Sequence, residues 1–204
     1  MPTPDLTPAQ RHTRRTLRQH LRQRRRALTP GAQDAAARAL AQQLSRLPAL
    51  RNARRIAVYQ SADGEIDPQA LFRQSGWRHR DLALPALPAV GAGPLTFIRW
   101  NHRTRLRLNR FGISEPRPDR RHAMPAWTQD VVLLPLVAFD REGNRLGMGG
   151  GFYDRTLADL ARRPRRPLLL GVAHHFQGVD RLPAAPWDVP LDGIVTDREY
   201  FVTG

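Results

Sequence analysis

A glycine-rich segment, NRLGMGGGFYDR at residues 144–155, has the composition that most directly suggests binding chemistry. Gly147, Gly149, Gly150 and Gly151 come shortly after the most apolar run of the chain and before a predicted helix. Glycines allow unusual dihedrals and close approach of a ligand, and their N–H groups can converge on an anion at the start of a helix. The segment predicts an anion-binding loop, with a hairpin or lid that binds no ligand as the alternative.

Charged residues near this loop are of the types that bind phosphate and metal. Arg145 precedes the glycines and can bind phosphate oxygens bidentately. Asp154 lies at the start of the next predicted helix, where its carboxylate can hold Mg²⁺ or simply complement the helix dipole. Asp188, in WDVPLD, offers a second carboxylate, but spacing alone does not bring it to Asp154. Asp140 is expected to form a turn.

Two further charged features can be interpreted either as ligand-binding groups or as solvated surface charges. Glu65, in SADGEIDPQAL, directly follows the first predicted strand, where α/β proteins place ligand contacts; a solvated acid is the alternative. Arg14, Arg18, Arg22 and Arg25 stand at helical steps, which puts four guanidinium groups along one helix face. That face is either solvated or supplies counter-charges to a bound polyphosphate.

The elements that must position these residues indicate an α/β fold. Two N-terminal helices are expected to begin at Thr7-Pro8 and Thr29-Pro30. Further helices are expected from Asp67-Pro68 and over residues 152–163, and long loops around a strand over residues 99–127. Short runs that are apolar on both faces predict the strands of a largely parallel sheet covered on each side. These runs are residues 56–61, 82–87, 95–100, 130–139, 168–174 and 193–197.

Length and composition exclude several classes of protein. The 204 residues suit one domain over 1–204, with residues 1–10 expected to be disordered. The absence of cysteine excludes disulfides, thiolate zinc sites and cysteine nucleophiles, and the scattered histidines are interpreted as structural. No apolar run is long enough to span a bilayer, so we expect a soluble, cytoplasmic protein. The sequence contains arginine but no lysine, and its net charge is +15. This charge attracts anions but does not indicate which kind of anion binds.

With these residues assembled, the chain resembles the 5-formyltetrahydrofolate cyclo-ligase family, also called 5,10-methenyltetrahydrofolate synthetases. The most specific stretch is LLPLVAFDREGNRLGMGGGFYDRTL, supported in order by RRTLRQHLRQRRRAL, YQSADGEID, FGISEP and WDVPLDGIVTD. The resemblance implies an α/β fold, as a single three-layer domain with a mainly parallel sheet flanked by helices. It also implies conversion of 5-formyltetrahydrofolate to 5,10-methenyltetrahydrofolate with ATP and Mg²⁺, releasing ADP and phosphate.

The resemblance further implies roles for individual residues. Arg14 and Arg18 correspond to a basic pair that contacts ATP, although the first position is typically lysine in the family. Asp154 and Asp188 correspond to metal-contacting acids, and Arg145 is the expected catalytic residue. The implied ATP-binding loop is Arg145, Leu146, Gly147, Met148, Gly149, Gly150, Gly151, Phe152 and Tyr153. The implied folate-contacting residues are Gln60, Glu65, Met148, Gly149, Gly150, Gly151 and Phe152.

Two other classes of function stay open at this point. A nucleic-acid-binding module would use the basic charge, but residues 11–55 contain no Phe, Tyr or Trp for stacking. We therefore expect no specific nucleic-acid partner and no membrane partner. The other alternative is an ATP-dependent enzyme of this fold that acts on a different anionic metabolite than 5-formyltetrahydrofolate, with or without a polyglutamate tail.

Overall fold

The computed structural model describes three stretches of the chain: residues 5–101, 103–163 and 165–203. Of residues 1–10, for which disorder is expected, the structure describes residues 5–10. Leu6 is buried, and a helix begins at Pro8 because the side chain of Thr7 caps it. Residues 1–4 lie outside the described residues.

Five α-helices lie within the described residues, and the first two begin where the Thr-Pro pairs predict. Thr7 and Thr29 each accept a backbone N–H from the first turn at 3.2 Å, and proline occupies the next position. The helices are α1 Pro8–Arg26, α2 Pro30–Arg46, α3 Pro48–Asn52, α4 Gln69–Phe72 and α5 Phe152–Leu157. Shorter 3-10 helices span Ser75–Trp77, Arg120–His122, Ala126–Thr128, Leu160–Arg162 and His175–Gln177.

A mainly parallel sheet forms the centre of the molecule, as the apolar runs predict. The strands are β1 Arg55–Ala57, β2 Asp81–Ala86, β3 Thr96–Trp100, β4 Leu106–Leu108, β5 Ser114–Pro116, β6 Val131–Pro135, β7 Ala138–Phe139, β8 Arg145–Leu146, β9 Leu168–Ala173, β10 Gly193–Thr196 and β11 Tyr200–Val202. The order in the main sheet within the described residues is β11-β10-β9-β6-β1-β2-β3, in which only the edge strands β11 and β3 pair antiparallel with their neighbours. Strands β4 and β5 form a separate hairpin, and so do β7 and β8.

Helices cover both faces of this sheet, which makes three layers. Successive strand residues point to opposite faces, so Leu133 packs with Leu40 and Leu44 of α2, whereas Leu134 packs with Leu157 of α5. Burying a leucine side chain stabilises the fold by about 1.5–3 kcal/mol. The three-layer α/β fold implied by the resemblance is thus confirmed.

The helix expected over residues 152–163 is shorter than the sequence indicates. It ends as α5 at Leu157, and the 3-10 helix Leu160–Arg162 follows. Leu157 at the end of α5 and Leu160 at the start of the 3-10 helix pack into the same core cluster. Among the described residues, no helix combines the length and apolar character needed to cross a bilayer.

Candidate functional site

A cleft of about 950 Å³ opens where the central parallel strands end. Tyr59 lies just after β1, Pro85 near the end of β2 and Pro135 at the end of β6, and all three line the cleft. Helix α1 contributes one wall and the turn of the β4–β5 hairpin another. Open α/β sheets bind ligands outside the carboxyl ends of their strands, so this cleft is the candidate site.

The cleft brings together nearly every residue that the sequence analysis singled out. Among the binding and catalytic residues that the resemblance implies, the one exception is Leu146, whose side chain is completely buried against Leu21 and Val137 and whose carbonyl accepts the N–H of Val137 at 2.7 Å. Leu146 therefore anchors the loop from behind. The predicted residues that line the cleft are Arg14, Arg18, Gln60, Glu65, Arg145, Gly147, Met148, Gly149, Gly150, Gly151, Phe152, Tyr153, Asp154 and Asp188.

The glycine loop joins β8 to α5 through two left-handed residues, Gly149 at φ +98° and Gly151 at φ +63°. A Cβ on Gly151 would lie 2.7 Å from a guanidinium nitrogen of Arg155, whereas a Cβ on Gly147 would meet no heavy atom within 4 Å. Glycine is thus required by conformation at Gly151, while Gly147 leaves open space beside its backbone. Because α5 has only six residues, the anion-binding capacity rests on the loop N–H groups more than on a helix dipole.

Arg145 is held in place before any ligand binds. Its side chain is 6% exposed, forms an ion pair with Asp154 Oδ1, and donates from Nε to the carbonyl of Val189 at 3.2 Å. The backbone N–H of Val189 lies 3.4 Å from the same carboxylate oxygen. Within the described residues Asp154 Oδ2 makes no hydrogen bond, so one carboxylate oxygen is left for a further contact.

Asp188 reaches the same cleft as Asp154, which spacing could not show. Arg14 donates to its two carboxylate oxygens, Nη1 to Oδ2 at 2.6 Å and Nη2 to Oδ1 at 3.3 Å. Arg14 Nη1 also donates to the carbonyl of Pro183 at 2.7 Å, and Asp188 Oδ2 accepts the N–H of Ala185 at 2.9 Å. Both oxygens of Asp188 are therefore engaged.

Arg18 is the α1 arginine best placed to receive an anion. Its Nε donates to the carbonyl of Gly147 at 2.8 Å, and its guanidinium lies close to Gly149. Among the described residues no carboxylate lies within ion-pair distance of it. Burial, with the neighbouring positive charge of Arg14, lowers the pKa of Arg18. A phosphate bound here would supply the missing negative charge.

Glu65 and Gln60 stand on the other side of the cleft, after β1. Glu65 Oε2 accepts the N–H of Ala62 at 3.2 Å, and Oε1 lies 3.5 Å from Arg25 Nη2. Burial raises the pKa of Glu65 to about 7, although the positive charge of Arg25 opposes the shift. Gln60 Oε1 accepts from Gln69 Nε2 at 3.1 Å.

Tyr153 completes this side as a neutral phenol. Burial, together with the nearby Glu65 carboxyl, raises the pKa of Tyr153 far above the physiological range. Its hydroxyl group can therefore donate as well as accept a hydrogen bond at any working pH.

Sequence reasoning missed Asp63, Phe111 and Trp187, which also line the cleft. The side chains of Phe111 and Trp187 are 59% and 58% exposed, and Phe111 lies edge-on to Phe152 at 6.1 Å between ring centroids. Exposed aromatic rings beside a polar cleft are suited to stacking on a flat ligand. For Phe111 and Trp187, the available signal was their position inside FGISEP and WDVPLD, two of the segments that carry the resemblance.

The acids of the cleft do not form a metal cage by themselves. Among the described residues no group of three or more His, Asp or Glu side chains could hold an ion. Mg²⁺ is commonly held by one or two carboxylates plus waters and substrate phosphates. Asp154, with its available Oδ2, fits that requirement, whereas Asp188 would have to exchange Arg14 for the ion.

Comparisons with known proteins show which sequences and structures this chain is similar to. Residues 10–197 match the family model described as the 5-formyltetrahydrofolate cyclo-ligase family. The 5-formyltetrahydrofolate cyclo-ligase of Escherichia coli (strain K12) is 43% identical over 181 residues, covering 89% of this chain and 98% of that protein. Its Haemophilus influenzae counterpart is 39% identical over 182 residues, covering 89% and 96%.

Solved structures show the same similarity. The 5,10-methenyltetrahydrofolate synthetase of Aquifex aeolicus superimposes with a TM-score of 0.77 at 30% identity, covering 93% of this chain and 92% of that one. The Mycoplasma pneumoniae 5,10-methenyltetrahydrofolate synthetase gives a TM-score of 0.69 at 27% identity, covering 91% and 99%.

Proposed function

This chain belongs to the 5-formyltetrahydrofolate cyclo-ligase family, and from that premise we propose that it converts 5-formyltetrahydrofolate to 5,10-methenyltetrahydrofolate. The conversion consumes ATP in the presence of Mg²⁺ and releases ADP and phosphate. The protein acts as one domain over residues 1–204, in the cytoplasm.

The observation that carries the proposal is a single cleft lined by both expected sets of residues. Arg18, Arg145 and the glycine loop offer positive charge and N–H donors, which suit a polyphosphate. Glu65 and Gln60 face the same space with acceptors, which suit the N–H donors of a pterin. The volume, about 950 Å³, lies at the upper end of the range for small-molecule sites, which supports a cleft that takes two substrates.

The proposed reaction needs positioning and charge stabilisation more than a nucleophilic side chain. The formyl oxygen takes the γ-phosphoryl group of ATP, and ADP leaves. N10 of the folate then attacks the activated formyl carbon and loses its proton, and the formyl oxygen departs with phosphate as the ring closes. We assign stabilisation of the transferring phosphoryl group to Arg145, which Asp154 and Val189 hold in one orientation.

The other residues bind and orient. Arg18 and the loop N–H groups hold the phosphates, while Arg14, fixed by Asp188, supplies further positive charge at the same wall. Mg²⁺ would neutralise phosphate charge, with Asp154 as the carboxylate best able to contact it and Asp188 as the second expected ligand. Glu65 in its ionised form accepts hydrogen bonds from the N–H groups of the pterin, and Tyr153 lines the pocket beside Glu65.

The proposed partners are small molecules. Three of the four arginines along this face of α1 pair with carboxylates of the protein, since Arg14 binds Asp188, and Arg22 and Arg25 bind Asp63; Arg18 lies in the cleft beside Gly147. A nucleic-acid duplex would find these guanidinium groups turned inward. Any affinity for RNA should therefore be non-specific and fall steeply with salt.

The testing experiment mixes purified protein with ATP, Mg²⁺ and 5-formyltetrahydrofolate and follows the near-ultraviolet absorbance of the methenyl product. We expect product only when ATP is present, with one ADP formed for each product molecule. Absence of product from a folded protein would contradict the proposal. ATP hydrolysis stimulated by another anionic metabolite, without conversion of the folate, would favour the alternative enzyme of the same fold.

A further inference from the structure

The turn that carries Glu65 has an unusual backbone. Asp63 has φ +55°, and it is the one non-glycine residue with a left-handed φ among those that the structure describes. Gly64 follows at φ +76°. Left-handed residues that carry a Cβ are uncommon, and they persist where surrounding contacts over-determine them, often next to functional groups.

Arginines from α1 hold Asp63 in that conformation. Arg22 Nε and Arg25 Nη2 donate to Asp63 Oδ2 at 2.8 and 2.7 Å, and Arg26 pairs with Oδ1. Arg25 Nε also donates to the Asp63 carbonyl at 2.7 Å. Burial alone would raise the pKa of Asp63, but the hydrogen bonds from these arginines outweigh it and keep the carboxyl ionised. The contacts fix the side chain and the peptide of Asp63 together.

The next peptide is fixed from other directions. The carbonyl of Gly64 accepts from Gln33 Nε2 at 3.0 Å and from the ring Nε2 of His174 at 3.2 Å. A Cβ on Gly64 would lie 2.6 Å from the carbonyl oxygen of Arg25, so only glycine allows this close approach to α1. Five side chains from three separate parts of the chain thus converge on two residues of one turn.

Arg25 connects this turn to both halves of the cleft, although it does not line the cleft itself. It is completely buried, and the same Nη2 that binds Asp63 lies 3.5 Å from Glu65 Oε1 and 3.5 Å from the sulfur of Met148. Nη1 reaches the carbonyl of Leu136 at 3.3 Å. A buried guanidinium with this many partners has one orientation.

We propose that Asp63 and Arg25 are positioning residues for the folate, which hold the Glu65 carboxylate in the orientation that meets the pterin. Neither residue needs to contact the substrate, because both carboxylate oxygens of Asp63 accept hydrogen bonds from arginines and Arg25 lies behind the turn. A carboxylate on a mobile turn would have to be ordered when the folate binds, whereas this one is ordered beforehand. The proposal rests on the proposed function.

The test compares Asp63→Asn with the matched control Asp67→Asn. Asparagine tolerates the left-handed backbone conformation, but it lacks the negative charge with which the arginines form ion pairs. Asp67 lies two residues after Glu65 and pairs with Arg73 at 2.8 Å, but it does not line the cleft. We expect Asp63→Asn to weaken 5-formyltetrahydrofolate binding about tenfold or more, with ATP binding changed by less than about twofold, because misplacing one group costs its own ligand most. Asp67→Asn should match the wild type.

Two further variants separate positioning from a general structural role. Gln33→Ala removes a support of the turn that is not part of the cleft, so we expect the same selective loss of folate affinity, of smaller size. In the double variant Asp63→Asn/Glu65→Gln, Asp63→Asn should add little to the loss of folate affinity that Glu65→Gln causes. The effects of two substitutions are not additive when one residue acts through the other. Circular dichroism confirms folding, and Gln33→Ala decides the question where Asp63→Asn does not fold.

Binding is measured by equilibrium titration with each substrate separately, and turnover by the absorbance assay. Equal loss of folate and ATP affinity, additive losses in the double variant, or folded variants that all match Asp67→Asn would overturn the positioning role. Wild-type protein that binds 5-formyltetrahydrofolate without converting it contradicts the proposed function but not the positioning role, which the titrations decide. Wild-type protein that does not bind the folate overturns both.

Discussion

The replacement Glu65→Gln should stabilise the protein at neutral and alkaline pH while impairing its binding of folate. The Glu65 side chain is 12% exposed, and burial raises its pKa from 4.5 to about 7 in spite of Arg25. The folded protein therefore holds this proton more tightly than the unfolded chain. The resulting stabilisation is complete below pH 4.5 and is lost as the pH rises through about 7.

The size of this effect follows from the two pKa values. Proton linkage with a pKa of 4.5 in the unfolded chain and about 7 in the folded protein gives a loss of about 2–3 kcal/mol in unfolding free energy between pH 5 and pH 8. Glutamine has no proton to lose. The unfolding free energy of Glu65→Gln, minus that of the wild type, should therefore increase by about 2–3 kcal/mol over the same interval.

Urea denaturation of both proteins at pH 5, 6, 7 and 8 measures this difference. The same pair is then titrated with each substrate at pH 8, where the carboxylate form predominates; folate affinity should fall more than ATP affinity. A stability difference that stays flat from pH 5 to pH 8 would refute the buried, proton-holding state of Glu65. Equal losses of both affinities would refute its assignment to the folate.

Three further predictions address the phosphate side of the cleft. Arg145→Ala should lower kcat/KM by about a hundredfold or more with the circular dichroism spectrum unchanged, whereas Arg141→Ala, an exposed residue paired with Glu199, should match the wild type; a folded, fully active Arg145→Ala contradicts the assignment. Gly151→Ala should lower the unfolding free energy by about 1–2 kcal/mol, because a φ of +63° is strained for a residue with a Cβ. Gly147→Ala should leave the unfolding free energy within about 0.5 kcal/mol of the wild type and weaken ATP binding, and unchanged ATP affinity there would argue against phosphate beside Gly147. Chelation of Mg²⁺ should abolish turnover, and Asp154→Asn should raise the Mg²⁺ concentration for half-maximal rate, whereas an unchanged requirement removes Asp154 from the metal site.

The parts of the fold that local chemistry determines could be predicted from the sequence. Thr7 and Thr29, each followed by proline, determine two helix starts within a few residues. Apolar runs locate every described strand of the main sheet except the edge strand β11, because burial on both faces leaves little alternation. The order of the strands and the β4–β5 hairpin within residues 99–127 depend on contacts between distant segments. Glu115, for example, is 4% exposed and accepts from Leu87 at 2.8 Å, which no local pattern indicates.

The candidate site divides in the same way. The glycine loop and Arg145 form one continuous stretch, so their types and spacing reveal an anion site directly. Asp63 gives no such signal, since its importance depends on arginines 37 to 41 positions away. Leu146 is the opposite case: its position in the sequence places it in the predicted loop, whereas the structure has it in β8 with its side chain in the core.

The pairing of Arg14 with Asp188 spans 174 positions. During synthesis the first helix leaves the ribosome long before its partner exists, and the central strands β1, β2 and β6 can assemble in the interval. The wall of the cleft is therefore finished last, after almost the whole chain has been made. A nascent or C-terminally truncated chain could acquire much of its secondary structure and still be unable to bind its substrates. On such fragments, a test of folding should give a positive result where a test of substrate binding gives a negative one.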